Sequence, residues 1–382
     1  VTDAKASALC VIRFFAFRSA IAFRSFASGF PLFPEVPVSS AAVVSHQYDN
    51  GLVLVAESIP SVRSAAFSFL IPAGATFEAE GRGGTASMLS EWITRGAGDL
   101  DSHALISALD NLGVSHAESA MSAHTSISAA TLGRNLHEAL KIYADVIRRP
   151  LFDEDEIDPI RALAQQSLQS IEDDPGTKVV LELRKRHYPD PWGRSSAGTL
   201  EGIESITADD LKHFHTSHYR PNGAILAVAG AIDWDALRKE VERLFGDWKP
   251  QSIPSIASKP TGPTRDHIHK ETQQTQIALA FPSVTIQEPD YYLARAATAI
   301  LGGYSSARLF TEVREKRGLC YTVYASYESH KDLAAVVGYA GTSTDRAQET
   351  LDVTLAELER LGKGGIEAEE LDTMRAGLKS SL

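Results

Sequence analysis

The sequence predicts a duplicated protein built from alternating strands and helices, and three observations support this. Apolar spacing switches repeatedly between the period of two that marks a half-buried strand and the three-to-four spacing of an amphipathic helix. The same succession of elements, with stretches of residue identity, returns about 210 residues later. The composition fits: 382 residues, 43% hydrophobic and 23% charged, is a folded chain long enough for two domains.

Composition also excludes function classes. Asp and Glu outnumber Lys and Arg by 49 to 37, and the net charge of −12 repels a phosphate backbone, which argues against nucleic-acid binding. Cys10 and Cys320 are the only cysteines, too few for a disulfide framework or a four-thiolate zinc site. No apolar run approaches the roughly 20 residues that span a bilayer.

Residues 1–45 read as a leader outside the fold. VIRFFAFRSAIAFRSFASGF is rich in Phe, Ala, Ser and Arg and poor in acids, the composition of a transit peptide or a disordered extension. Arg13, Arg18 and Arg24 interrupt any secretory core. From His46 the elements begin. HQYDNGLVLVAES places an Asn-Gly turn between strand-like runs, and SAAFSFLIPAG is a strand closed by Pro and Gly. GRGGTASMLSEWITRGAG spaces Ala86, Leu89 and Ile93 as a helix, and SHALISALDNLG does the same with Leu105, Leu109 and Leu112 before Gly113. HAESAMSAHTSISAATL is strand-like. NLHEALKIYADVIRRPLF is an amphipathic helix ended by Pro150, and DEDEIDPIRALAQQSLQSI opens a long helix with an acidic first turn. AILAVAGAIDWDALRKEVERLFGDWKP adds a strand and a helix.

The order then repeats: IALAFPSV, DYYLARAATAILGG, SSARLFTEVREKRGLCYTVYASYE, AAVVGYAGTS, and RAQETLDVTLAELERLGKGGIEAEELDTMRAGLKSSL. EALKIYADVI aligns with ETLDVTLAEL, and DEDEIDPIRALAQQSL with EAEELDTMRAGLKSSL. A repeat this long marks a duplicated domain. The first copy is expected at 46–250, a Pro- and Ser-rich linker at 251–265, and the second copy at 266–382. Leu382 falls opposite Leu168, so the second copy is expected to lack roughly its last 80 residues.

LIPAGATFEAEGRGGTASMLSE, IRRPLFDEDEI, HYPDPWGRSSAGTLEGIESITADDLKHFHTSHYRPNGAILAVAG and LGGYSSARLFTEVREKRGLCYTVYASY together resemble the pitrilysin/insulinase-like metallopeptidases, the inverzincin clan. The likeness is to the two-domain form that includes processing peptidases and respiratory-complex core proteins. It spans nearly all of the chain from His46. The fold it implies is α+β: two homologous α/β domains, each a mainly antiparallel sheet with helices packed on it (the LuxS/metallohydrolase-like pitrilysin fold), the second truncated.

The resemblance also implies a zinc site, which the residues do not support. The clan uses H-x-x-E-H on one helix: two histidines one turn apart bind zinc, and the glutamate between them takes a proton from the metal-bound water. In GTASMLSEW, Ser87, Ser90 and Glu91 stand in those places. The family's further glutamate ligand falls on Ser167. One carboxylate and hydroxyls do not make a zinc shell, so no metal is expected here; the plain reading of Glu91 is a solvated or ion-paired helix residue. His213, His215 and His218 in LKHFHTSHYRPNG are a possible cluster, but no acid accompanies them and the segment reads as a structural turn with Tyr219, Pro221 and Asn222. His267 and His269 read as one face of a strand, and His137 with Glu138 as a solvated first helical turn.

A second family element is retained. LFTEVREKRGLCY carries Arg314 and Tyr321, which the resemblance makes the residues that reach the substrate: the Tyr hydroxyl donates to the carbonyl as it becomes an oxyanion, and the Arg orients it. The alternative is a structural ion pair and sheet packing. Gly302 and Gly303 lack the lysine and strand of a phosphate loop and read as a helix end. Alternation at Thr125 to Ala129 suggests a sheet edge for an extended substrate, although any half-buried strand alternates in this way.

The expected protein is therefore inactive alone and zinc-free. It would be the noncatalytic partner of a zinc-bearing homologue in a heterodimer, or a homodimer, acting on peptide substrates; the alternatives are a structural or assembly subunit, or a zinc metallopeptidase in family name only. The expected compartment is a bacterial cytoplasm or periplasm rather than a mitochondrion.

Overall fold

A computed structural model describes residues 8–13, 43–259, 262 and 265–380. In chain order its elements are β1 (Ala8–Arg13), β2 (Val44–Gln47), β3 (Val53–Ser58), β4 (Ser64–Ile71), α1 (Thr85–Trp92), the short pair β5 (Gly96–Ala97) and β6 (Leu100–Asp101), α2 (Ser102–Asn111), β7 (Ser115–Ala120), β8 (Thr125–Leu132), α3 (Leu136–Arg148) and α4 (Ile157–Asp173). There follow α5 (Pro175–His187), α6 (Leu200–Ser205), α7 (Ala208–His218), β9 (Ile225–Gly230), α8 (Trp234–Phe245), β10 (Arg265–His269), β11 (Gln274–Pro282), α9 (Tyr291–Gly302), β12 (Cys320–Ser329), β13 (Ala334–Ser343), α10 (Ala347–Gly362) and α11 (Ala368–Ser380). Apart from β1, the stretch expected as a leader up to residue 42 lies outside the described residues.

The chain forms two compact units. One takes the described residues 43–170 and 190–259; the other takes 8–13, 171–189, 262 and 265–380. The segment 171–189, which carries α5, thus groups with the second unit although it lies within the span 46–250 read as the first copy.

The first unit is a six-stranded sheet in the order β2-β3-β9-β4-β8-β7, antiparallel except for β3 with β9. On β4, Ala65, Phe67, Phe69 and Ile71 point inward while their neighbours face out, the period-two pattern of a sheet with one covered face. Helix α3 covers that face with Ala139, Leu140, Tyr143, Ala144 and Ile147, all buried. Phe67 meets Tyr143, and Phe69 meets Phe245 of α8, each at 5.3 Å between ring centroids. Large side chains of this kind stabilise the fold by about 1.5–3 kcal/mol each when fully buried.

The second unit is a five-stranded sheet, β10-β1-β11-β13-β12, again antiparallel apart from one pair, β1 with β11. Thr275 to Phe281 of β11 are buried without alternation, because α5 packs on this strand and α10 also contacts it. Gly302 closes α9 against β12: a Cβ there would lie 2.3 Å from the Ala325 nitrogen. Its use is close helix–strand approach, and Gly303, with an ordinary negative φ of −80°, is the cap. The expected helix end therefore hides a packing requirement.

Two further expectations are corrected. HAESAMSAHTSISAATL is a hairpin of two strands, β7 and β8, not one. Thr125 to Ala129 lie on β8, which pairs with both β4 and β7 and so is no edge; the edge on that side of the sheet is β7, and β2 is the other.

Candidate functional site

Helix α1 begins where Gly84 adopts the left-handed φ of +108°. Its first amides are held by a side chain from upstream: Glu78 accepts from Gly84 N–H at 3.1 Å and from Ala86 N–H at 2.9 Å. A carboxylate at a helix N-terminus complements both free donors and dipole. Glu78 is only 5% exposed, and burial pushes its carboxyl up to about 7 despite those two amides and the nearby Arg194 guanidinium. Arg194, fixed by Asp190 at 2.7 Å, donates to the Glu78 carbonyl at 2.9 Å. This clamp orients the helix on which the family's metal chemistry would stand.

The residues at the four expected positions do not make a metal shell. Ser90 Oγ donates to the Ser87 carbonyl at 2.8 Å, one turn back along its own helix. Glu91 pairs with Arg95 at 2.5 Å, and Arg95 also lies 3.7 Å from Glu156. Ser167 is exposed on α4 and donates to the Leu163 carbonyl at 3.0 Å. Zinc takes about four ligands drawn from imidazole, thiolate and carboxylate. Of these four residues only Glu91 offers such a donor, and Arg95 already neutralises it, so the donor set does not fit zinc. Among the described residues no group of three or more His, Cys, Asp or Glu is gathered to hold a metal ion.

The three α7 histidines do not form a site either, and they sit on a helix rather than in a turn. His215 Nε2 meets the Ile147 carbonyl at 2.8 Å, and burial lowers its pKa. His218 packs between Phe77 and Phe214, and burial lowers it to about 4. His213 is exposed. The structural reading of Asn222 holds: it exchanges two hydrogen bonds with the Gln251 backbone, at 2.7 and 2.9 Å.

Residues missed in the sequence lie on the edge strand. Helix α1 packs against β7, the strand that carries His116 and Glu118, with His116 Nδ1 3.0 Å from Glu118 Oε1. Burial pushes the Glu118 carboxyl up against the opposing pull of His116, and the Glu91 charge adds to the rise. The hydroxyls of Tyr143 and Tyr219, both in nearly fully exposure-free side chains, are likewise raised by burial and by Glu118. The only signal in the sequence is that His116 and Glu118, two apart, share a strand face.

In the second unit Arg314 and Tyr321 are brought together. The π-helical turn Phe310–Glu315 carries Arg314, and Gly318, at a left-handed φ of +58°, turns the chain into β12. The guanidinium lies 4.6 Å from the Phe310 ring centroid and 4.7 Å from that of Tyr321, a cation held between two aromatic faces. Tyr321 is 77% exposed, so it does not pack inside the sheet. The neighbouring Cys320 thiol is pushed up to about 11 by burial, which leaves it a poor nucleophile at neutral pH.

Two α+β units, each a mainly antiparallel sheet with helices packed on it, define the class of the fold. Residues 53–198 match the family model for insulinase, peptidase family M16, and residues 205–378 match the model for the peptidase M16 inactive domain. The chain belongs to this insulinase-like M16 family. The uncharacterized zinc protease YmxG of Bacillus subtilis is 29% identical over 87% of this chain and 82% of its own length. An uncharacterized zinc protease of Streptomyces coelicolor is 27% identical over 87% of this chain and 74% of its own. Among solved structures, a peptidase M16 inactive domain from Pseudomonas fluorescens superposes with a TM-score of 0.81 at 23% identity, covering 89% of this chain and 84% of that one. A protease from Helicobacter pylori gives the same TM-score at 20% identity, covering 89% and 85%. Among the described residues no helix is long and apolar enough to cross a membrane.

Proposed function

We propose that this chain is a zinc-free, noncatalytic member of its family that acts in peptide or protein processing beside a zinc-bearing homologue. The observation that carries the reading is an asymmetry: Ser87, Ser90, Glu91 and Ser167 are unsuited to metal and general-base work, whereas Arg314 is held between two rings beside an exposed Tyr321. The Tyr321 hydroxyl would donate to a scissile carbonyl as negative charge develops on its oxygen, and the Arg314 guanidinium would orient it and offset that charge. The outer edge of β7 would receive an extended peptide as an added strand, the mode in which main-chain hydrogen bonds give affinity with little demand on sequence.

Coexpression with a zinc-bearing homologue from the same genome, followed by a peptide-cleavage assay, tests this. Tyr321→Phe, which removes one donor, is expected to lower kcat by about 100-fold, and Arg314→Ala by a similar factor. Cleavage unchanged by both substitutions removes the reading and leaves a purely structural or assembly subunit.

A further inference from the structure

A cleft of about 370 Å³ in the second unit lies apart from the residues discussed above, bounded by α5 and by tyrosines of β12 and β13. That volume is in the range of small-ligand sites. Val180 and Leu181 of α5 form an aliphatic wall. Facing it are Tyr324 and Tyr339, stacked with ring centroids 5.2 Å apart and planes at 29°. The Tyr339 hydroxyl donates to Gln276 Oε1 at 2.6 Å, which fixes that ring.

The charges of the cleft are unequal in what they leave free. Arg184 lines one end, but its Nε sits 3.0 and 3.1 Å from the two carboxylate oxygens of Glu328, and its Nη2 is paired there as well. That fork is neutralised by its own carboxylate, so an anionic ligand would have to displace Glu328. Asp174, ten residues away along the chain and so about 15 Å along the helix, lines the other end. Its Oδ1 caps α5 by accepting from Gly176 N–H at 3.0 Å and Thr177 N–H at 3.2 Å, while Oδ2, among the described residues, accepts the Thr177 hydroxyl alone, at 2.6 Å. The Thr177 hydroxyl and these amides hold the carboxyl below its usual range, so it is ionised at neutral pH. Its charge reaches both tyrosine hydroxyls. Oδ2 keeps acceptor capacity toward the cleft.

An ionised carboxylate beside two aromatic faces, with the one lining cation already paired, is the chemistry that recognises a cation. A planar guanidinium satisfies both parts at once, stacking on a ring while its N–H groups reach the carboxylate. We propose that this cleft binds a guanidinium group, carried either by an arginine side chain of a peptide or by a small free cation. The site is independent of the proposed role in proteolysis and stands if that role fails.

The test is calorimetric titration of the full chain with agmatine, with an acetylated and amidated Ala-Ala-Arg-Ala-Ala peptide, and with the same peptide carrying norleucine for arginine. Saturable binding of an arginine-type probe is expected, at least tenfold tighter than the norleucine peptide. Asp174→Asn is expected to weaken it at least tenfold, because asparagine still caps α5 but carries no charge. Tyr324→Leu is expected to weaken it several-fold, while Tyr324→Phe, which keeps the ring, binds nearly as wild type. A peptide tighter than agmatine assigns the guanidinium to a polypeptide; equal affinities assign it to a free cation. The proposal is overturned if neither probe saturates, if the norleucine peptide binds equally well, or if folded Asp174→Asn binds unchanged. Should Asp174→Asn not fold, the contrast between Tyr324→Leu and Tyr324→Phe decides: equal affinities overturn the proposal.

Discussion

The α1 region of the first unit and the Arg314 region of the second differ in what they present. Around α1 packing dominates: a buried carboxylate caps the helix, Gly84 starts it in a left-handed conformation, and Ala86, Met88, Leu89 and Trp92 are buried. The polar groups on that helix are engaged locally: Ser90 donates to the Ser87 carbonyl and Glu91 is tied to Arg95. Around Arg314 the guanidinium lies between the Phe310 and Tyr321 rings, and Tyr321 is open to solvent. One region is built on packing and the other on an accessible polar pair, and each should respond to mutation in its own way.

The largest effect is expected at α1. Leu89→Ala, at a position with no exposed surface, should cost about 2–5 kcal/mol in denaturant unfolding, from lost burial plus the cavity left behind. A cost below 1 kcal/mol would mean that α1 no longer serves as a core element. The next effect belongs to Glu78. Its carboxyl, raised to about 7, holds a proton in the folded state that the unfolded chain releases near pH 4.5. Stability from this group is therefore complete below about pH 4.5 and declines as pH rises toward 7, by a total on the order of 3 kcal/mol. Glu78→Gln should flatten that slope when thermal midpoints are compared between pH 5 and 8, and parallel profiles for the two proteins would count against the buried cap. Arg95→Met should cost no more than about 1 kcal/mol, since its pair with Glu91 is partly exposed and screened. The smallest effect is expected at the other site: Arg314→Ala should change stability by less than about 1 kcal/mol, the scale of an exposed cation–π contact. A large loss there would make the arginine a structural residue.

Much of this was legible in the sequence. The helices over Thr85–Trp92, Ser102–Asn111 and Leu136–Arg148 follow from apolar spacing, because each buries one stripe. The closeness of Arg314 and Tyr321 was readable because they are near in sequence, joined across a single glycine turn. Contacts between distant segments were not readable. That β8 is interior and β7 the edge depends on β8 pairing with β4, more than fifty residues earlier in the chain. That α1 packs against the strand carrying His116 and Glu118 depends on how helix and sheet meet, which no local pattern encodes. The cleft at Tyr324 and Tyr339 needs α5 to group with the second unit, although the repeat places its residues in the first copy.

The contrast between the two regions is tested most directly by metal content. The purified chain, incubated with zinc and then freed of excess by gel filtration, should be measured by elemental analysis beside a variant carrying Ser87→His, Ser90→Glu, Glu91→His and Ser167→Glu together. The account predicts far less than one zinc per chain for the natural sequence and about one for the variant, since α1 is a well-packed helix and the variant supplies the imidazole and carboxylate donors that zinc takes. Stoichiometric zinc in the natural chain, lost on Glu91→Gln, would contradict it.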